Sequence, residues 1–324
     1  MSINSKLKRL AASIATYGTA YLFERACLPR EQAVSLPCMK KRQANYANMS
    51  QEDRARELCR LFACGTGRKL DLDHPRTFNE KMQWLKLYGG SELRTRLIDK
   101  VAVKEWVAQK VGERYVVPLL GVWDAADDIE FDGLPERFVL KCNHGAGYNI
   151  IVRDKNKLDQ DDVKRMIDAW MSENYAYGHM MELQYEDVIP KVFAEEYMEN
   201  GGGDIYDYKI YCYGGEPRYT QFLCDRAKSL RMAYFDNDWH RLQFRYAQHP
   251  LITEPVERPE NFDEMLSIAR ELSDGWPFVR VDLYRLDDGT VKFGEMTFIP
   301  AGGMIDWVPA DADKLLGEFI ELPY

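Results

Sequence analysis

The sequence of 324 residues has no C-x-x-C pair, no G-K-[ST] phosphate loop, no basic stripe, no internal repeat and no low-complexity linker. Each absence removes something. The cysteines (Cys27, Cys38, Cys59, Cys64, Cys142, Cys212 and Cys224) are odd in number and never paired in spacing, which speaks against a zinc site and for a reducing, cytoplasmic compartment. A net charge of −9 without a basic stripe speaks against nucleic acid as a partner. What remains, 46% hydrophobic and 29% charged, is the composition of a folded protein with a large core and more than one subdomain.

The N-terminal stretch "KLKRLAASIATYGTAYLF" is basic and then mildly apolar, but Thr16, Tyr17 and Thr19 interrupt it and Glu24-Arg25 end it, far short of a membrane span. Leu7, Leu10, Ile14, Tyr17 and Tyr21 recur at helical spacing, so an amphipathic helix is expected, packed on its own protein or lying at a membrane surface. Residues 1–90 read as mainly helical, with Ser50 as a helix N-cap and further helices over "HPRTFNEKMQWLKLYGG" and "LRTRLIDKVAVKEWVAQKVG". Strands take over from Tyr115 ("YVVPLLGVW", "RFVLKCN", "YNIIVRD"). After a helical insert come "KVFAEEYM", "IYDYKIYCYGGEPRYTQFL", "MAYFDND", a helix over "NFDEMLSIARELSDG", and a final hairpin. The class is α+β with a large antiparallel component, not a βαβ alternation.

That hairpin, "RVDLYRLDDGTVKFGEMTF", carries an acid in each strand, Asp282 and Glu295. A two-residue Asp288-Gly289 turn pairs Tyr284 with Phe293, Asp282 with Glu295 and Arg280 with Thr297 on one face. A three-residue loop would set Asp282 against Gly294 instead. Directly opposed carboxylates repel, and Mg²⁺ between them would turn repulsion into ligation. Two solvated acids on a wet hairpin face are the other reading. "FVLKCNHGAGYNIIV" joins Lys141 to a turn with Gly145 and Gly147, either a phosphate cradle or a plain β-turn with a surface lysine. "IYDYKIY" places Asp207 and Lys209 on one strand face.

Together with "TFNEKMQWLKLY", "DKVAVKEWV", "DYKIYCYGGEPRY", "FVRVDLYRL" and "FGEMTFIPAGG", these segments resemble the TupA-like branch of the ATP-grasp superfamily, from about Thr77 onward. The resemblance implies two α+β subdomains gripping ATP behind a helical N-terminal region, divided as 1–95, 96–198 and 199–324. It implies that Lys100 and Lys141 hold ATP, that Gly145 to Gly147, with His144, form a lid, and that Glu195, Glu196, Tyr197 and Met198 form the adenine hinge. Asp207 would reach the ribose. Asp282, Glu295 and Thr297 would hold Mg²⁺; the family more often has Asn at the Thr297 position. Arg280 would steady the transferred phosphate or the tetrahedral intermediate, with Lys209 and Arg226 as further catalytic cations.

The activity implied is an ATP-dependent carboxylate–amine ligation through an acyl phosphate. The partners would be a carboxylate-bearing sugar or amino acid and an amine, in bacterial surface-polysaccharide or capsule synthesis. The enzyme would be cytoplasmic, at the inner face of the membrane if the N-terminal helix binds there. Two other classes stay open: a sugar kinase using Asp225 of "LCDRAKS" as base, and a glycosyltransferase using the "DND" at 236–238 as a metal motif.

Overall fold

The computed structural model describes residues 43–201, 205–224, 230–247 and 249–323. The expected amphipathic helix at the N-terminus lies outside the described residues, and so do Asp225 and Arg226. After a helical stretch at 43–47 come the helices α1 (Gln51–Thr66), α2 (Phe78–Tyr88), α3 (Glu92–Ile98) and α4 (Ala102–Val111). The Ser50 side chain accepts the Asp53 N–H at 3.1 Å, and Gly67 ends α1 in the left-handed region. Thr77 and Glu80 form a reciprocal capping box on α2.

The helix expected to run on to Gly112 is instead broken between α3 and α4. The Asp99 carboxylate accepts the N–H groups of Val101 and Ala102, at 2.8 and 3.1 Å, restarting the helix with a new cap. Lys100 sits at the break, and its own N–H reaches the Asn143 carbonyl at 3.3 Å. The interruption is what aims Lys100 at the strands.

Two antiparallel sheets follow. The first contains β1 (Leu119–Trp123), β2 (Phe138–Cys142), β3 (Asn149–Val152) and β4 (Val192–Glu196) in the order β1-β4-β2-β3. It packs on α5 (Gln160–Met171) through Val163 and Ile167. The second contains β5 (Tyr206–Tyr213), β6 (Glu216–Cys224), β7 (Arg231–Asp236), β9 (Phe278–Arg285) and β10 (Val291–Thr297) in the order β10-β9-β5-β6-β7. One face is covered by Phe262–Ser273, whose Phe262, Met265, Ala269 and Leu272 share a buried core with Ile210, Val279 and Val281. The β8–β11 pair (Arg245–Tyr246 with Trp307–Val308) and the helix Ala312–Glu318 close the C-terminal side, where Asn79 at the start of α2 bonds Asp313 and Ile305. Among the described residues, no helix is long and apolar enough to cross a membrane.

Candidate active site

The β9–β10 hairpin closes differently from expectation and still brings its acids together. Leu286 and Thr290 face each other across a three-residue loop, with Gly289 in the left-handed region. Tyr284 therefore pairs with Lys292, not Phe293, and Leu283 pairs with Phe293. Continued regularly, this register would set Asp282 against Gly294. A β-bulge at Gly294 inserts one residue and restores Asp282 opposite Glu295 and Arg280 opposite Thr297. A side chain at Gly294 would place its Cβ 3.0 Å from the Tyr284 ring and 3.1 Å from the Asp282 carbonyl oxygen.

The two acids do not face each other alone. Arg280 grips Asp282 with two bonds, Nε to Oδ1 at 2.6 Å and Nη2 to Oδ2 at 2.7 Å, and the same Nη2 reaches Glu295 at 3.3 Å and Thr297 at 2.9 Å. Lys209, on β5 and directly opposite Asp282 of β9, also bonds Asp282 and lies 3.2 Å from Asp207. The repulsion expected of paired carboxylates is thus overridden by cations between them. Burial pushes the Asp282 carboxyl up, against the pull of Arg280 and Lys209. For Glu295 burial also pushes up, but Lys100, Lys209 and Arg280 outweigh it and hold the group down at about 2.

The first sheet supplies the opposite wall. Lys141 on β2 bonds Glu195 on β4, and Lys104, one turn after Lys100, takes the other Glu195 oxygen at 3.1 Å. Burial raises Glu195, and the two lysines more than reverse it; burial also lowers Lys104. Lys100 donates to the Gly145 carbonyl of the glycine turn and stands 4.0 Å from Glu295, linking turn and hairpin. Its own pKa is lowered by burial. Gly147 is left-handed, and a Cβ on Gly145 would sit 2.3 Å from the Tyr175 ring. His144 turns inward: its ring is 1% exposed and Nε2 donates to the Trp170 carbonyl at 3.0 Å.

Glu195 and Glu196 end β4, and the chain then crosses through Tyr197 and Met198 toward β5 in the second sheet. Glu195 is buried while the Glu196 side chain is exposed, and Arg153 bonds the Tyr197 hydroxyl at 3.2 Å. Asp207 is 1% exposed at the start of β5. Lys104 and the Asp99–Asn143 bond of 2.8 Å were not singled out from the sequence, although both lie inside segments that were. The signal for Lys104 was its place four residues after Lys100. The "DND" stretch forms a turn: Asp236 Oδ1 accepts the N–H groups of Asp238 and His240, and its other oxygen meets the His240 ring at 3.1 Å.

Glu295, the Thr297 hydroxyl and the lone pairs of Asp282 not facing Arg280 and Lys209 are hard oxygen donors, a set that suits Mg²⁺. The lysines around them, Lys100 from the α3–α4 break and Lys209 from the second sheet, suit a polyphosphate. A family model described as TupA-like ATPgrasp matches residues 80–321. The chain belongs to the TupA-like ATP-grasp family. Its fold is the α+β ATP-grasp fold.

No curated protein matches it. Among solved structures it is similar to the ATP-grasp ligase PsnB complexed with precursor peptide PsnA2 and AMPPNP (12% identity, TM-score 0.36, covering 64% of this chain and 51% of that one). It is also similar to an ADP complex of purK, an N5-carboxyaminoimidazole ribonucleotide synthetase (11%, TM-score 0.44, 78% and 58%). A third is the N5-carboxyaminoimidazole synthetase from Staphylococcus aureus complexed with ADP (14%, TM-score 0.40, 76% and 60%). The chain spans little more than half the length of these proteins.

Proposed function

We propose that this chain is an ATP-dependent carboxylate–amine ligase that forms an amide on a uronic acid or amino acid component of a bacterial surface polysaccharide. The observation that carries the ligase reading is the convergence on Glu295 of Lys100 from the α3–α4 break and Lys209 and Arg280 from the second sheet. Phosphoryl transfer from ATP to a carboxylate needs positioning and charge neutralisation more than a nucleophilic side chain. Bound Mg²⁺ supplies part of that neutralisation. Lys141 and Lys100 bind phosphate oxygens, the glycine turn covers them and excludes water, and Arg280 stabilises charge on the transferred group. The substrate carboxylate attacks the γ-phosphorus and ADP leaves; an amine then attacks the acyl phosphate, phosphate departs, and the amine gives up a proton.

Incubation with ATP, Mg²⁺, uronic acids and amines, read by mass spectrometry, tests this. The expected products are ADP and a conjugate lighter by one water than its two parts. A phosphorylated sugar without that conjugate would mean a kinase instead. Lys141→Ala should weaken ATP binding by about 1–3 kcal/mol, the scale of a charged hydrogen bond, and shrink the ATP-induced thermal shift. An unchanged shift removes Lys141 from the phosphate site.

A further inference from the structure

A second cationic site lies outside the residues assigned to the nucleotide. A cavity of about 680 Å³ runs between the α2–α3 turn and residues 183–191, with Lys86, Arg94, Asp99 and Gln184 in its wall. Arg94 is 3% exposed. Its Nη1 caps α2 by donating to the Leu85 and Gly89 carbonyls, at 2.7 and 2.9 Å. Its Nε and Nη2 have no hydrogen-bond partner among the described residues. Those are the two nitrogens with which Arg280 grips Asp282, the side-on fork that matches a carboxylate.

Lys86, also 3% exposed, spends its ammonium on the Met180 carbonyl at 3.0 Å. Burial pushes Lys86 down to about 8, with Glu182 opposing and Arg94 adding to the fall; burial likewise lowers Arg94 to about 10. Glu182, which faces them both, is one carboxylate for two buried cations. An unpaired guanidinium fork in a desolvated site is costly unless something anionic completes it. Tyr185 is packed against all three apolar clusters and is close enough to Glu182, Glu295 and Arg280 to feel their charge.

We propose that the Arg94 fork is a subsite for a substrate carboxylate that does not itself react. This rests on the ligase reading and extends it: one of the two substrates carries a second acid. That acid belongs either to an amino acid serving as the amine or to a further carboxyl on the sugar partner.

Binding to full-length wild type and Arg94→Lys, with Mg²⁺ and AMPPNP present, tests this. The probes are L-glutamate, D-glucuronate and glucose 1-phosphate. Lysine keeps a charge and a helix-capping donor but not the fork. The AMPPNP-induced thermal shift is read first and should be the same in both proteins. Glutamate or glucuronate should then bind wild type and lose at least about tenfold in affinity in Arg94→Lys, the scale of a charge-assisted bidentate pair; which of the two does so names the partner. Equal binding to both proteins, binding of glucose 1-phosphate alone, or no binding of any probe to wild type overturns the subsite. Absence of the AMPPNP shift in wild type overturns the ligase reading and the subsite with it.

Discussion

Glu295 is a third exposed, yet its carboxylate answers to Lys100, Lys209, Arg280 and the Thr297 hydroxyl, which donates to it at 2.9 Å. In isolation, two opposed carboxylates predict that neutralising one relieves repulsion. With cations interleaved the sign reverses, because removing Glu295 leaves partly buried positive charge without its counter-ion. Glu295→Gln is therefore expected to abolish ADP release and to destabilise the metal-free protein by about 1 kcal/mol, the scale of one hydrogen bond to a charged group at a partly wet site.

The pH dependence follows from the same contacts. The Glu295 carboxyl is held at about 2 against its ordinary 4.5, so the folded state binds its proton later than the unfolded chain does. Its stabilising contribution is complete above pH 4.5 and is lost as pH falls through 2. Chemical denaturation in EDTA from pH 6 to pH 2 should give a shallower acid limb for Glu295→Gln. Parallel limbs in the two proteins would sink this account of its charge.

At the scale of elements, the hairpin shows what was legible beforehand. Its strands, its acids and their facing pair follow from alternation and turn chemistry. The route does not: a three-residue loop and a bulge each shift the register by one, and the shifts cancel. Nothing local to the turn reports a bulge five residues past it; Gly294 in the strand was the trace. The break at Asp99 was likewise hidden, because Asp-Lys is ordinary inside a helix and only the caps on Val101 and Ala102 distinguish it. The charge partners Lys104 and Glu195, distant in sequence, meet only through the pairing of sheet one with α4.

The bulge carries its own prediction. Gly294→Val would drive a branched side chain toward Tyr284 and the Asp282 carbonyl, contacts of 3.0 and 3.1 Å already at Cβ. Overpacking of this kind costs about 1–3 kcal/mol. Because the bulge sets the position of Glu295, turnover should fall with stability, and the ATP-induced thermal shift should fall with it. A melting temperature and ADP-release rate like those of wild type would mean that the bulge has another residue's worth of slack.

For the whole molecule, the matched family region begins at residue 80, but the fold reaches further back. Leu58, Leu61 and Phe62 of α1 are buried against Ala176, Tyr177 and Met181. Arg54 makes two bonds to Glu186, at 2.7 and 2.6 Å, beside the cavity that Arg94 lines. Just past α1, Arg68 meets Asp313 of the last helix at 2.7 Å. Two truncations should therefore behave differently. Every nucleotide-binding candidate lies after residue 99, so deletion of residues 2–25 should leave the ATP-induced thermal shift intact. Deletion of residues 2–66 also removes Tyr46, Leu58, Leu61 and Phe62 from a shared core, at about 1.5–3 kcal/mol for each of the last three. In a chain of this size that lowers the melting temperature by roughly 10 °C or more. Since Arg54–Glu186 braces the segment that carries Tyr185, the larger deletion should disturb carboxylate binding before nucleotide binding. Thermal melts with and without AMPPNP separate the two constraints. Loss of the nucleotide shift in a folded protein lacking residues 2–25 would place the N-terminal segment inside the catalytic unit.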